Sequence, residues 1–165
     1  MNESSEIERG ANAELQNGLA IHRLNKSELN WLGPVNQKVF KEKRLINSLN
    51  HRVLIALLAC VDDKPVGFKI GYSLNEKEFY SAKGGVLPEY RRIGIATKLL
   101  HHMLYEAGRN RFTNFVYDTF PETYPGMYHL GLREGFAISY TKWNVQYEDY
   151  QVRLWRRIKP VDIHS

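Results

Sequence analysis

Cysteine is almost absent from this chain: Cys60 is the only one in 165 residues, so no intramolecular disulfide can form and a disulfide-stapled scaffold is excluded. Set inside an apolar run, Cys60 reads as a small buried hydrophobe and not as a nucleophile. Long hydrophobic runs are missing too. The longest, Val53 to Val61, spans nine residues, where a bilayer-spanning helix needs about 20. A helical membrane protein is therefore not expected. Met1 to Glu6 lacks the basic start and following apolar stretch of a secretory signal or mitochondrial presequence, so a reducing cytoplasm is the expected location. No metal-ligand pattern is visible either: His101 and His102 are neighbours on one helix, pointing about 100° apart, with no Cys or carboxylate cluster beside them. Trp31, Trp143 and Trp155 are dispersed, unlike base-stacking platforms. What remains is 43% hydrophobic and 25% charged residues, the balance of one globular domain.

The net charge is +5, and it is unevenly placed. Residues 1–18 hold four glutamates against one arginine, which leaves the remainder at +8. The bases fall in short groups, Lys41-Glu42-Lys43-Arg44, Arg91-Arg92 and Arg153 with Arg156-Arg157, and not in one long arm. Such a distribution suits small anionic ligands or an acidic partner at least as well as a duplex. Residues 1–17 read as a mobile leader, and residues 18–165 as a single domain.

The periodicities give an element order. Gly18 to Leu24 alternates as a first strand, Ser27 offers a cap for a helix starting near Lys26, and residues 36–49 continue as helix. Val53–Val61 and Val66–Tyr72, joined by Asp62-Asp63-Lys64-Pro65, predict a hairpin. Phe79–Leu87 is the next strand, and its pair Gly84-Gly85 predicts a bulge that something approaches closely. From Ile95, the residues Leu99, Leu100, Met103, Leu104 and Ala107 share one helical face, with Gly108 as the stop. A strand over 112–117, a helix from Pro125 to Leu132 closed by Gly135, and strands over 136–143 and 151–158 follow. The order β, α, three strands, α, β, α, β, β is that of a mixed α/β domain.

Between the strand ending at Val86-Leu87-Pro88 and the helix from Ile95 stands Arg91-Arg92-Ile93-Gly94-Ile95-Ala96-Thr97. A helix start presents unpaired N–H donors and the positive end of the helix dipole, so a pyrophosphate can be held by backbone alone if no side chain blocks it. Gly94 and Ala96 keep that approach open, and Arg91 and Arg92 add charge. The segment is neither a Lys-Ser/Thr phosphate loop nor a G-x-G-x-x-G turn.

Arg91-Arg92-Ile93-Gly94-Ile95-Ala96 resembles the acetyl-CoA signature, R/Q-x-x-G-x-G/A, of the GNAT superfamily of N-acetyltransferases, and the element order over about residues 18–145 is similar to that family's. The resemblance implies a central, mostly antiparallel sheet of six to seven strands, flanked by helices. Its fourth and fifth strands splay apart, and pantetheine lies against the strand end at Gly84-Gly85-Val86-Leu87. It implies acetyl-CoA as co-substrate, bound by Val86, Leu87, Pro88, Arg91, Arg92, Ile93, Gly94, Ile95, Ala96 and Thr97, and an amine acceptor attacking the thioester directly.

Gly135-Phe136 matches a second family marker, but the helix before it departs from the pattern. Many members carry a tyrosine four residues before that glycine, which protonates the leaving thiolate, and an asparagine seven residues earlier; here Gly131 and Tyr124 stand at those places. Tyr128, one turn earlier on roughly the same face, is the candidate proton donor, with packing against the sheet as its other reading. Glu78 and Asp118, at strand ends, are the candidates for taking the amine's proton. Tyr117, Phe120, Tyr124 and Tyr128 crowd one segment and suggest an aromatic acceptor pocket, with core packing as the alternative for Tyr117.

The expected function is thus acetyl transfer from acetyl-CoA to a primary amine of a small molecule or protein. The alternatives are an acyl-CoA-binding module without turnover, motivated by Gly131, and a basic nucleic-acid-binding domain. A membrane partner is not expected, and a homodimer through the apolar last strand stays open.

Overall fold

A computed structural model describes residues 18–161; the leader expected over residues 1–17 lies outside them. The elements follow in the expected order: β1 (Leu19–Leu24), a 3-10 segment (Lys26–Leu32), α1 (Gly33–Phe40), β2 (Leu54–Val61), β3 (Lys64–Ser73), β4 (Glu78–Val86), a 3-10 turn (Pro88–Tyr90), α2 (Ile95–Arg109), β5 (Asn114–Thr119), α3 (Pro125–Arg133), β6 (Ala137–Asn144) and β7 (Asp149–Arg157). The seven strands form one mixed sheet in the order β1-β2-β3-β4-β5-β7-β6, flanked by the three helices. Among the described residues no helix is long and apolar enough to cross a membrane.

The chain packs as two compact units, the first running to Ile70 and including Lys83–Met103, the second comprising Gly71–Ala82 and the chain from Leu104. In the first unit β1 pairs antiparallel with β2 from Leu19↔Val61 to Leu24↔Ala56. Its core gathers Leu24, Leu29, Leu32, Val35, Phe68 and Ile70, with Phe40, Leu45 and Ile46 packed on it. Each such fully buried side chain contributes roughly 1.5–3 kcal/mol. Cys60 is buried here, and burial with Asp63 nearby pushes its thiol up, away from the reactive thiolate.

In the second unit β5 is central. It pairs antiparallel with β7 from Asn114↔Arg157 to Thr119↔Val152, and β7 pairs antiparallel with β6, with a register slip between Ile138 and Tyr140. A chain of ring contacts, Phe79 to Phe112 and Phe115, then Phe115 and Tyr117 to Phe136, fills the core at centroid distances of 5.2–5.9 Å.

Three local expectations differ from the structure. The first cap is Asn25, not Ser27: the Asn25 side-chain oxygen accepts the Ser27 N–H (3.1 Å) while the Asn25 N–H donates to Glu28 Oε1 (3.0 Å), a reciprocal capping box. The helix expected over 36–49 stops at Phe40, because Lys41 is left-handed (φ 58°). Asn36 Nδ2 then donates to the carbonyls of Glu42 (2.9 Å) and Arg44 (3.3 Å), which turns them away from a helical ladder. Gly108 lies inside α2 and does not end it; a Cβ there would meet Val161 at 2.9 Å and Ile158 at 3.2 Å, so the glycine serves close packing of the C-terminal segment.

Candidate active site

The first unit carries the Arg91–Thr97 turn. The Leu87 N–H donates to Val66 O (2.8 Å), which fixes the end of β4, and Val86 and Leu87 are buried. Pro88 opens the 3-10 turn, and the Arg91 Nε donates back to the Val86 carbonyl at 2.8 Å. The exposed Arg91 is thereby moored beside the strand end. Arg92 then takes φ 64° and Gly94 φ 90°. The second value lies where L side chains are strained, so a glycine is required. The Lys98 N–H donates to Gly94 O (3.1 Å), which makes Gly94 the residue before the first helical turn and leaves the N–H groups of Ile95, Ala96 and Thr97 without helical carbonyl partners. Nothing lies within 4 Å of the point where a Gly94 Cβ would be. Ile95 anchors the helix start at 2% exposure, whereas Arg92, Ile93 and Gly94 are exposed. Open backbone donors beside two arginines are groups that could hold an anion such as a pyrophosphate.

β4 runs unbroken through Gly84-Gly85 to Val86, and what approaches the pair is protein. A Cβ on Gly85 would lie 2.8 Å from Val39 Cγ1 and 3.2 Å from Phe40 Cε2, and one on Gly84 would lie 3.1 Å from the Phe68 carbonyl oxygen. The glycines therefore let α1 settle onto β4, a role the sequence did not disclose.

The second unit holds a polar cluster. The parallel pairing of β4 with β5 comprises Glu78↔Asn114, Phe79↔Phe115 and Tyr80↔Val116. At its last pair the Tyr80 hydroxyl donates to Asp118 Oδ2 (3.2 Å). Arg153, opposite Asp118 in the β5–β7 register, grips it through Nε (2.8 Å) and Nη2 (3.0 Å), and Gln151 Nε2 adds a fourth bond at 3.0 Å. The guanidinium lies 5.4 Å from the Tyr80 ring centre and 5.2 Å from that of Tyr140. Burial first, and then the Asp118 charge, push the Tyr80 phenol well above its usual range, so it stays neutral. The hydrogen bond to Asp118 holds Arg153 protonated even more firmly than usual. Asp118's two oxygens accept four hydrogen bonds, three at Oδ2 and one at Oδ1. Glu78 Oε1 accepts from Asn75 Nδ2 (3.0 Å) in the β3–β4 turn.

On α3, Gly131 stands where it does for a packing reason. A Cβ there would fall on the Tyr117 hydroxyl and 2.6 Å from Leu154 Cδ1, and that hydroxyl donates to the Met127 carbonyl (2.9 Å). Burial, with Glu134 adding to it, pushes the Tyr117 phenol far up. Tyr128 is half-buried in the first turn of α3, edge-on to His129 at 5.4 Å. The aromatics of this segment have different ring neighbours. Tyr117 packs on Phe136, Phe120 stacks on Tyr147 at 4.1 Å, Tyr128 meets His129, and Tyr124 is 43% exposed. Asp149 pins the loop between β5 and α3 by accepting from the N–H groups of Glu122 (3.0 Å) and Thr123 (2.9 Å). Burial raises its carboxyl, but these donors outweigh that and hold it below the usual range. Tyr80, Arg153 and Gln151 were not legible as partners of Asp118; the register that unites them is a long-range property.

The model of the acetyltransferase (GNAT) family matches residues 20–130. N-alpha-acetyltransferase 50 of Danio rerio is 29% identical over 133 residues, 78% of this chain and 70% of that protein. Among solved structures, the ribosomal-protein-S18-alanine N-acetyltransferase of Escherichia coli superposes with a TM-score of 0.73 at 14% identity, over 89% of this chain and 98% of the other. Arabidopsis thaliana Naa50, solved with the bisubstrate analogue CoA-Ac-MVNAL, gives a TM-score of 0.67 at 19% identity, over 84% and 98%. Signature turn, element order and family model agree: this chain belongs to the acetyltransferase (GNAT) family, acyltransferases whose co-substrate is acetyl-CoA.

Proposed function

We propose that this chain transfers the acetyl group of acetyl-CoA to the free α-amino group of a polypeptide. The observation that carries the donor half is the turn at Gly94: a positive φ, open space at the Cβ position and three first-turn N–H groups flanked by Arg91 and Arg92. These groups would hold the pyrophosphate, with Val86, Leu87 and Pro88 lining the pantetheine path and Ile93 and Thr97 its rim. The acceptor half is supported by the relative named as an N-alpha-acetyltransferase and by the peptide portion of the analogue bound in the Arabidopsis structure.

In the reaction the amine nitrogen bonds to the thioester carbonyl carbon, the carbon–sulfur bond breaks, and the thiolate takes a proton. Tyr128 is the proposed donor, since position 131 is filled by Tyr117 and Tyr117 is buried against the Met127 carbonyl. The amine's own proton leaves to water: Asp118 is engaged by Tyr80, Gln151 and Arg153, and Glu78 is tied into the β3–β4 turn. The glycine at 131 does not speak against turnover, because packing alone requires it. The test is mass spectrometry of short peptides with free N-termini, incubated with acetyl-CoA and enzyme. Addition of one acetyl group at the α-amine supports the proposal; acetylation of lysine side chains alone refutes it.

A further inference from the structure

The α1–β2 connection begins with Lys41-Glu42-Lys43-Arg44, four exposed residues held in one conformation from two sides. From α1, the fully buried Asn36 donates to the carbonyls of Glu42 and Arg44. From β4, Lys83 Nζ donates to the same Arg44 carbonyl (3.0 Å), pairs with Glu42 Oε2 (3.2 Å) and lies 4.6 Å from the Phe40 ring centre. The Lys83 side chain is only 14% exposed, so its charge is spent inside this arrangement. The turn is thereby fixed on the strand one residue before Gly84, where the pantetheine path is proposed to begin. The one acid in the turn is also neutralised from below, which leaves Lys41, Lys43 and Arg44 as a basic rim.

We infer that this clamped turn reads an acidic residue close behind the acceptor's α-amine, and that Lys83 sets the preference by cancelling Glu42. The inference rests on the proposed polypeptide acceptor. An exposed basic rim steers and selects oppositely charged chains without needing a deep pocket, and its effect is screened by salt. Three exposed pairings of ordinary strength amount to a preference of about tenfold.

The experiment uses three labelled peptides with free N-terminal methionine, followed by Asp-Glu-Asp, Ser-Asn-Gln or Lys-Arg-Lys. Binding to the full chain in the presence of CoA is read by fluorescence anisotropy, and acetylation by mass spectrometry. The acidic peptide is expected to bind about tenfold more tightly than the basic one at low salt, with the ratio falling toward one as salt is raised. The double variant Lys41→Glu/Lys43→Glu, altered only at exposed positions, should invert the order. Lys83→Met, which frees the Glu42 charge, should shrink the preference. Acetyl-CoA affinity, measured in parallel, shows whether each variant is folded. Equal or stronger binding of the basic peptide, or a ratio unmoved by the double variant, overturns the inference. If the charge preference is present but no peptide is acetylated, the proposed function fails while the rim's reading of charge stands. If peptides are acetylated without charge preference, the rim's role fails while the proposed function stands.

Discussion

The hydroxyl of Tyr117, reaching from β5, occupies the space that any side chain at position 131 of α3 would need. A tyrosine at 131 and a tyrosine at 117 are thus mutually exclusive in this packing. Gly131→Ala should therefore cost about 1–3 kcal/mol, the usual penalty of overpacking. In a Tyr117→Phe background, where the hydroxyl is gone, the same substitution should cost clearly less. Urea unfolding of the four proteins of this cycle measures the coupling, and additivity of the two changes would show that the hydroxyl is not what excludes a Cβ.

In the proposed reaction, with position 131 closed, Tyr128 is assigned the proton delivery to the leaving thiolate. Tyr128→Phe should lower kcat by about a hundredfold, the lower range for loss of a general acid, while leaving acetyl-CoA affinity unchanged. Steady-state kinetics with calorimetry separates the two effects; an unaltered kcat would assign Tyr128 to packing beside His129.

The Asp118–Arg153 pair is partly buried, with side-chain exposures of 11% and 26%. Removing one partner strands the other charge, so Arg153→Met should destabilise by about 3–5 kcal/mol. Asp118→Asn combined with Arg153→Gln should recover part of this, because no uncompensated charge remains. Thermal unfolding of the single and double variants checks the order, and a double variant less stable than Arg153→Met would contradict it.

Lys69 of β3 is 5% exposed, and burial lowers its amine to about 8. The unfolded chain keeps that proton to about 10.5, so between the two values the unfolded state binds more protons and stability rises with pH. Below pH 8 both states are protonated and the cost of burying the charge is fully present. Lys69→Met should thus remove this rise in stability between about pH 8 and about pH 10.5. Chemical unfolding across that window gives the curve, and a pH-independent difference would mean that burial leaves the proton affinity of the amine unchanged.

The order of elements and the Gly94 turn that opens the long helix were legible in the sequence because both are local. Hydrophobic periodicity announces a strand or helix within its own span, and a glycine between a strand and an amphipathic helix announces an open helix start. What escaped was set by residues far apart in the chain. Tyr80 meets Asp118 across 38 residues and Arg153 meets it across 35, while Lys83 reaches Glu42 across 41. No window reveals such a meeting before the register is known. The end of α1 was missed for a related reason: Asn36 captures the carbonyls of Glu42 and Arg44, which overrides a helical pattern that continues in the sequence. Gly131 did carry a signal, as a glycine inside a helix, and the cause lay in Tyr117 on another element.

Binding of acetyl-CoA at the Arg91–Thr97 turn, as proposed, is read by calorimetric titration, with dephospho-CoA and ATP as controls and Gly94→Glu as the variant. The point where a Gly94 Cβ would project is open, but an L residue is strained at φ 90°, so Gly94→Ala controls for that strain while the glutamate adds a carboxylate at the proposed place of the pyrophosphate. The native chain should bind acetyl-CoA specifically and saturably, and Gly94→Glu should lose that binding, with its fold confirmed by circular dichroism. Binding of equal strength in both proteins, or none in the native chain, would contradict the claim.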